Sequence, residues 1–225
     1  MCGRFALTLP PDAIAQLFAA VPDNDLPEGP DYNVCPTARV AVVRGAEGGG
    51  RRLVGMRWGF LPHWYKSPTD GPLLINARAE SIAEKPAFRA AVRERRCIVP
   101  ATGFYEWTKA PDGGRLPWYF FRNDRAPLAF AAIWQPWRPP GTDGEAVATC
   151  ALVTCAAVAP YTEVHHRMPV VLEPADWPLW LGEAGKGAAR LMHAPEPGAV
   201  RFRRVDPAVN SNRASGPGLI EPVDG

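Results

Sequence analysis

The sequence predicts one α+β domain with a β-barrel-like sheet core and a few peripheral helices. Three observations carry this. From Cys97 onward, long and mostly apolar strand patterns follow one another between Gly-, Pro- and Asn-Asp-containing turns. Such a meander has both faces covered, or closes on itself. Helical periodicity is confined to short stretches. No repeat or linker divides the 225 residues, a length that suits one large domain with a real core, taken as residues 1–225.

In chain order, residues 2–8 read as a first strand. Thr8 is placed to cap a helix whose first turn takes Pro10, Pro11 and Asp12. Ile14, Leu17, Phe18 and Val21 then fall on one face. Residues 22–31 are loop, and Pro36 forces a bend. Residues 40–43 and 53–58 form a hairpin about the glycines at 45–50. Residues 61–73 are an aromatic- and proline-rich loop, and such rigid aromatics suit a binding surface. Residues 73–75 lead as a strand into Asn76, and a basic helix over 86–95 turns Phe88 and Val92 inward. Strands follow at 97–101, 104–107, 118–122, 128–134, 147–156 and 168–172, with Gly103 as a bulge or kink. Short helices at 174–181 and 187–193, a last strand at 200–205 and a tail draped on the body complete the chain.

Composition narrows the function classes. Hydrophobic content of 47% and charged content of 21% are those of a globular protein. A net charge of +2 does not mark a nucleic-acid binder. Only four of the 25 basic residues are lysine. Arginine suits phosphate, but GC-rich coding, which also inflates Ala, Gly and Pro, explains most of that bias. Five cysteines without C-x-x-C spacing or clustered histidines imply neither a disulfide framework nor a metal site. No cofactor is called for. No secretory h-region and no apolar run of membrane length is found, so a cytoplasmic location is expected.

The candidate chemistry begins at Met1-Cys2-Gly3-Arg4-Phe5. Cysteine is small enough for Met1 to be removed, leaving an amine and a thiol on one residue. With reference pKa values of about 8 and 8.5, both have usable nucleophile fractions near neutrality. An aldehyde can form an imine with that amine, and the thiol can close a five-membered ring. A plain frayed terminus is the alternative, but the apolar residues that follow suggest a terminus tied into a sheet. Glu106, inside Gly-Phe-Tyr-Glu-Trp, reads equally as a general acid with a raised pKa or as a hydrogen-bonded structural carboxylate. Asn76 reads as a group orienting a nucleophile or as a turn cap. His165, beside His166, reads alone as a solvent-facing loop histidine.

Taken together and in order, six motifs resemble the SRAP family, the SOS response-associated peptidases. They are Met-Cys-Gly-Arg-Phe, Tyr-Asn-Val-Cys-Pro at 32–36, Trp-Gly-Phe at 58–60, Ile-Asn-Ala-Arg-Ala-Glu at 75–80, Gly-Phe-Tyr-Glu-Trp at 103–107 and His-His-Arg-Met-Pro-Val at 165–170. The resemblance spans nearly the whole chain, residues 2 to about 223. It implies a protein that binds single-stranded DNA at abasic sites and links to them covalently as a thiazolidine. It implies Cys2 as nucleophile, Asn76 as its positioning group, Glu106 as the acid-base that opens the sugar, and His165 as the group assisting the imine. It further implies Arg4, Arg78 and Arg167 on phosphates, and Pro36, Trp64 and Tyr65 as wedge and stacking surface. His166 is given no role. The expected partner is abasic single-stranded DNA, with no membrane. The chain is expected to be a monomer in the bacterial cytoplasm, nucleoid-associated when bound. Two other readings use the same residues: an N-terminal-nucleophile cysteine peptidase limited to self-processing, and a non-covalent single-stranded DNA-binding module.

Overall fold

Five strands close into a barrel in the computed structural model, which describes residues 2–23 and 25–223. Met1 lies outside the described residues, so its expected removal is not addressed by the fold. The strands are β1 (Phe5–Leu7), β2 (Ala20–Pro22), β3 (Asp31–Val34), β4 (Arg39–Gly45), β5 (Arg51–Trp58), β6 (Asn76–Arg78), β7 (Arg96–Ala101), β8 (Gly103–Lys109), β9 (Arg115–Arg122), β10 (Leu128–Trp137), β11 (Val147–Ala156), β12 (Arg167–Pro169) and β13 (Val200–Arg204). The helices are α1 (Pro11–Phe18), α2 (Arg89–Glu94) and α3 (Trp177–Leu181).

The barrel runs β5-β4-β7-β10-β11 and returns to β5 through a parallel seam at Thr149↔Arg57 and Cys150↔Trp58. β11 outlasts β5 at that seam, and β6 takes the remaining edge, with Leu152 opposite Asn76 and Thr154 opposite Arg78. The aromatic loop between β5 and β6 is therefore an excursion that leaves and rejoins the barrel at one place. Gly59 donates its N–H to the Cys150 carbonyl, and Phe60 donates to Leu74.

A second sheet, ordered β13-β9-β8-β1-β3, lies on the barrel. Strand alternation gives it two aromatic faces. Phe5, Phe104 and Phe120 point inward: Phe5 meets Trp58 at 5.0 Å and Phe130 at 6.1 Å between ring centroids, and Phe104 stacks on Phe120 at 4.6 Å. Tyr105 and Tyr119 point outward, where Val205, Val209 and Leu219 of the C-terminal segment cover them. The tail is thus draped on the body, as the sequence implies. This double cover explains why the strand patterns are apolar throughout.

Several local expectations change. The first strand is shorter than residues 2–8, and Thr8 caps nothing. Its N–H donates to Thr102 Oγ1 at 2.8 Å, and the two hydroxyls lie 2.9 Å apart. Pro10 takes the N-cap position with Pro11 behind it, and the helix starts without a side-chain cap. The helix ends at Ala19 in a left-handed conformation, φ 48°, so Val21 belongs to β2 and not to another turn. Ile14 and Phe18 are buried while Leu17 and Val21 are exposed. The strand expected at 73–75 is instead Asn76–Arg78, so Asn76 is a sheet residue and not a turn cap. α2 is regular only over Arg89–Glu94, yet Phe88 and Val92 are buried as expected. The strand expected at 168–172 is confined to Arg167–Pro169.

Gly103 marks where the chain crosses from the barrel strand β7 to the second-sheet strand β8. A Cβ there would collide with the Phe120 carbonyl oxygen and the Tyr119 ring. Neither can retreat, since Phe120 is in the ladder and Tyr119 is 2% exposed. Gly103→Ala should therefore destabilise the fold by about 1–3 kcal/mol through overpacking. The check is a drop in urea midpoint without a change in m-value.

Candidate active site

The N-terminal strand places the site. β1 pairs antiparallel with β8, Phe5 opposite Phe104, and the Tyr105 N–H donates to the Arg4 carbonyl at 3.0 Å. This register carries Cys2 and Gly3 past Glu106. Cys2 is fully buried. Asn76, fixed on β6, donates from Nδ2 to the Cys2 carbonyl at 2.8 Å. The buried Oδ1 of the same amide has no hydrogen-bond partner among the described residues. Glu106 is 3% exposed, on the inward face it shares with Phe104. His165 precedes β12, which Arg167 pairs to Ala156 of β11. Its Nδ1 stands 3.9 Å from Glu106 Oε1. Four groups expected together from distant motifs are thus gathered at one end of the second sheet.

Burial sets the proton chemistry here. It pushes Glu106 up to about 7, with the nearby Arg115 guanidinium acting in the opposite direction. It pushes the Cys2 thiol well above its usual range, and the Glu106 charge adds to this. Burial lowers His165, and the neighbouring His166 and Arg167 charges act in the same sense. Near neutrality the site holds a carboxyl poised to exchange a proton, a protonated thiol and a neutral imidazole. The imidazole is held locally: its Nδ1 lies 3.0 Å from the Arg167 amide nitrogen and 3.1 Å from the Arg167 carbonyl oxygen. The first contact needs a bare Nδ1 and the second a protonated one, so either tautomer keeps the ring in place.

The arginines divide. Arg78 is exposed, and its side chain has no hydrogen-bond or ion-pair partner among the described residues. Arg4 and Arg167, expected on phosphates, instead have each guanidinium buried in internal contacts. Arg4 donates to Asn33 Oδ1 at 2.6 Å, to the Val209 carbonyl at 2.9 Å and to Asn212 Oδ1 at 2.5 Å, tying the C-terminal segment to β1 and β3. Arg167 forms a fork with Glu80 at 2.6 and 2.9 Å and donates to the Thr154 carbonyl at 2.7 Å. This fork holds Glu80 down at about 2. The two arginines brace the site from either side.

The aromatic pair also divides. Trp64 is 44% exposed, whereas Tyr65 is buried with Leu61 and Trp137 and accepts the Trp137 indole N–H on its carbonyl at 3.1 Å. Tyr65 is therefore packing and Trp64 is the open surface. Pro36 is half-buried in the turn after β3. A groove of about 380 Å³ opens from Gly3, Glu106 and His165 toward Trp107, Lys109 and Arg115. Sequence reading gave these last three no role. The signal was available: a tryptophan and two cations flank the Asp112 turn of one hairpin. Among the described residues no cluster of His, Cys, Asp and Glu could hold a metal, and no helix is long and apolar enough to cross a membrane.

The chain matches the family model described as SOS response associated peptidase (SRAP) over residues 1–212. It is 34% identical over 227 residues to the abasic site processing protein YoqW of Bacillus subtilis (strain 168), covering 98% of this chain and 99% of that one. It is 36% identical over 184 residues to the abasic site processing protein YoaM of the same organism, covering 80% and 79%. Its fold resembles the crystal structure of a protein from Bacteroides thetaiotaomicron, with a TM-score of 0.85 at 23% identity over 99% of this chain and 100% of the other.

The raised Glu106 pKa gives folding a pH dependence. The folded state binds this proton more tightly than the unfolded chain, whose carboxyl titrates at 4.5. The contribution is favourable below about pH 4.5 and is lost as pH rises through about 7. Across that window Glu106→Gln should gain about 1–3 kcal/mol relative to the wild type. Denaturant titrations at pH 4.5 and 8 check this, and an equal difference at both would contradict a buried, proton-hungry Glu106.

Proposed function

The chain belongs to the SOS response associated peptidase (SRAP) family, and from that premise we propose that it processes abasic sites in single-stranded DNA by covalent capture on Cys2. One observation carries the reading: Cys2 is buried with its carbonyl held by Asn76 Nδ2, and the Oδ1 of the same amide has no hydrogen-bond partner among the described residues. Loss of Met1 creates an α-amine on Cys2, whose N–H could donate to Asn76 Oδ1.

The steps follow from the proton inventory. An abasic sugar is mostly a closed hemiacetal. To open it, the C1 hydroxyl loses a proton, the C1–O4 bond breaks and O4 gains a proton. Glu106, poised near 7, can both accept and donate. The Cys2 amine then adds to the aldehyde and water leaves, giving an imine. His165 assists this dehydration by moving a proton between nitrogen and the departing oxygen. The Cys2 thiol adds last. Its Sγ–C bond forms as the C=N π pair takes a proton at nitrogen, and the thiol gives up its own. A thiol held protonated by burial fits a late step better than a first attack. Arg78 and Trp64 would hold a phosphate and a base of the flanking strand, with Pro36 filling the gap of the missing base.

The direct test is incubation with abasic single-stranded DNA. A heat- and detergent-stable shifted band is expected. Salt-sensitive retention alone, or peptide turnover without the band, would contradict covalent capture. Variants then separate the steps. Cys2→Ala should give a borohydride-trappable imine but no stable ring. Glu106→Gln should slow capture roughly 100- to 10,000-fold on a cyclisable sugar, and far less on an aldehyde that cannot cyclise. His165→Ala should be impaired on both. Equal impairment of Glu106→Gln on the two substrates would remove Glu106 from ring opening.

A further inference from the structure

The far end of the groove holds an arrangement that internal packing does not explain. Lys109 and Arg115 are direct antiparallel partners at the mouth of the β8–β9 hairpin. Like charges directly opposite one another destabilise a sheet. Both side chains are exposed, and neither has a hydrogen-bonded or ion-paired carboxylate among the described residues. Asp112, in the turn between them, accepts the Gly114 N–H at 2.8 Å instead.

Arg115 is nevertheless held in place. Its guanidinium lies 4.4 Å from the Trp107 ring centroid. Trp107 is itself fixed, because its indole N–H donates to Asn210 Oδ1 at 2.6 Å and Asn210 Nδ2 donates to the Arg115 carbonyl at 3.0 Å. A planar fork fixed on an aromatic face, opposite a second cation, is an arrangement organised in advance for a doubly coordinating anion. The same groove ends at Glu106 and His165.

We propose that Lys109 and Arg115, with Trp107 as the backing plate, hold one phosphodiester of the strand on one side of the lesion nucleotide. This deepens the covalent-capture reading and rests on it for the identity of the strand. Trp64 is not among the walls of this groove. On this proposal the hairpin grips one flank of the lesion, in a groove that does not include the Trp64 loop.

The test is non-covalent binding of intact and abasic single strands across a salt series, using the full chain. Lys109→Ala/Arg115→Ala should weaken binding to both strands and reduce the log–log salt slope by about 0.7, the value for one phosphate contact on a single strand. Arg115→Lys should keep the slope. Removing nucleotides stepwise from one side of the lesion should abolish the difference between wild type and double variant, while trimming the other side leaves it intact. An unchanged slope, or a difference that survives trimming from either end, would overturn the proposal. The double variant should melt within a few degrees of the wild type, because the lost Arg115–Trp107 contact is offset by removal of a like-charge pair, so a binding loss at an unchanged melting temperature is not an unfolding artefact. If the wild type forms no covalent product, the capture reading fails, while the salt slope still decides this site.

Discussion

A chain terminus ordinarily frays, and here the second residue has no exposed surface. That burial is the constraint on which the rest of the structure depends. It requires β1 to be paired on both edges, by β8 and β3, and the Cys2 carbonyl to be satisfied away from water by Asn76. It also requires a brace. Arg4 reaches Asn33 on one side and Val209 and Asn212 on the other, so the last segment of the chain locks the first. The sheet, its aromatic cover and the C-terminal segment form one device that holds residue 2 still.

Low polarity around that residue then sets the chemistry. The same burial that raises the Cys2 thiol raises Glu106 toward neutrality and lowers His165. A site with a protonated thiol beside a proton-exchanging carboxyl is poorly suited to a thiolate attack on an acyl group. It agrees with the proposed order, in which an amine acts first and sulfur last. The Arg167–Glu80 fork serves the geometry, because it ties the His165 turn to the segment that carries Asn76.

Much of this was legible in the sequence, for reasons that also explain what was not. The hairpin about Gly45–Gly50, the strands after Cys97 and the covered tail follow from apolar period and turn chemistry, which are local. The inward Glu106 follows from alternation with Phe104. Helix α1 is shorter than its apolar spacing suggests, because Leu17 and Val21 continue that spacing and nothing local signals the left-handed Ala19 that stops the helix. The contacts of Arg4, Arg167 and Tyr65 depend on partners between 13 and 208 residues away or on loop packing. A motif fixes that an arginine is needed, but not whether its fork meets a phosphate or a glutamate. The local pattern gives Trp107, Lys109 and Arg115 no role, because their meaning lies in cross-strand register.

Capture on Cys2, as proposed, requires nitrogen and sulfur of that one residue both to bond to the same carbon of the sugar. Mass mapping of the adduct after denaturation and digestion tests this most directly. The adduct is expected on the peptide that begins at Cys2. Its thiol should resist alkylation and its amine should resist acylation, although Cys35, Cys97, Cys150 and Cys155 all alkylate. An adduct whose Cys2 thiol alkylates freely, one placed on a lysine, or one on a peptide that retains Met1 would contradict it.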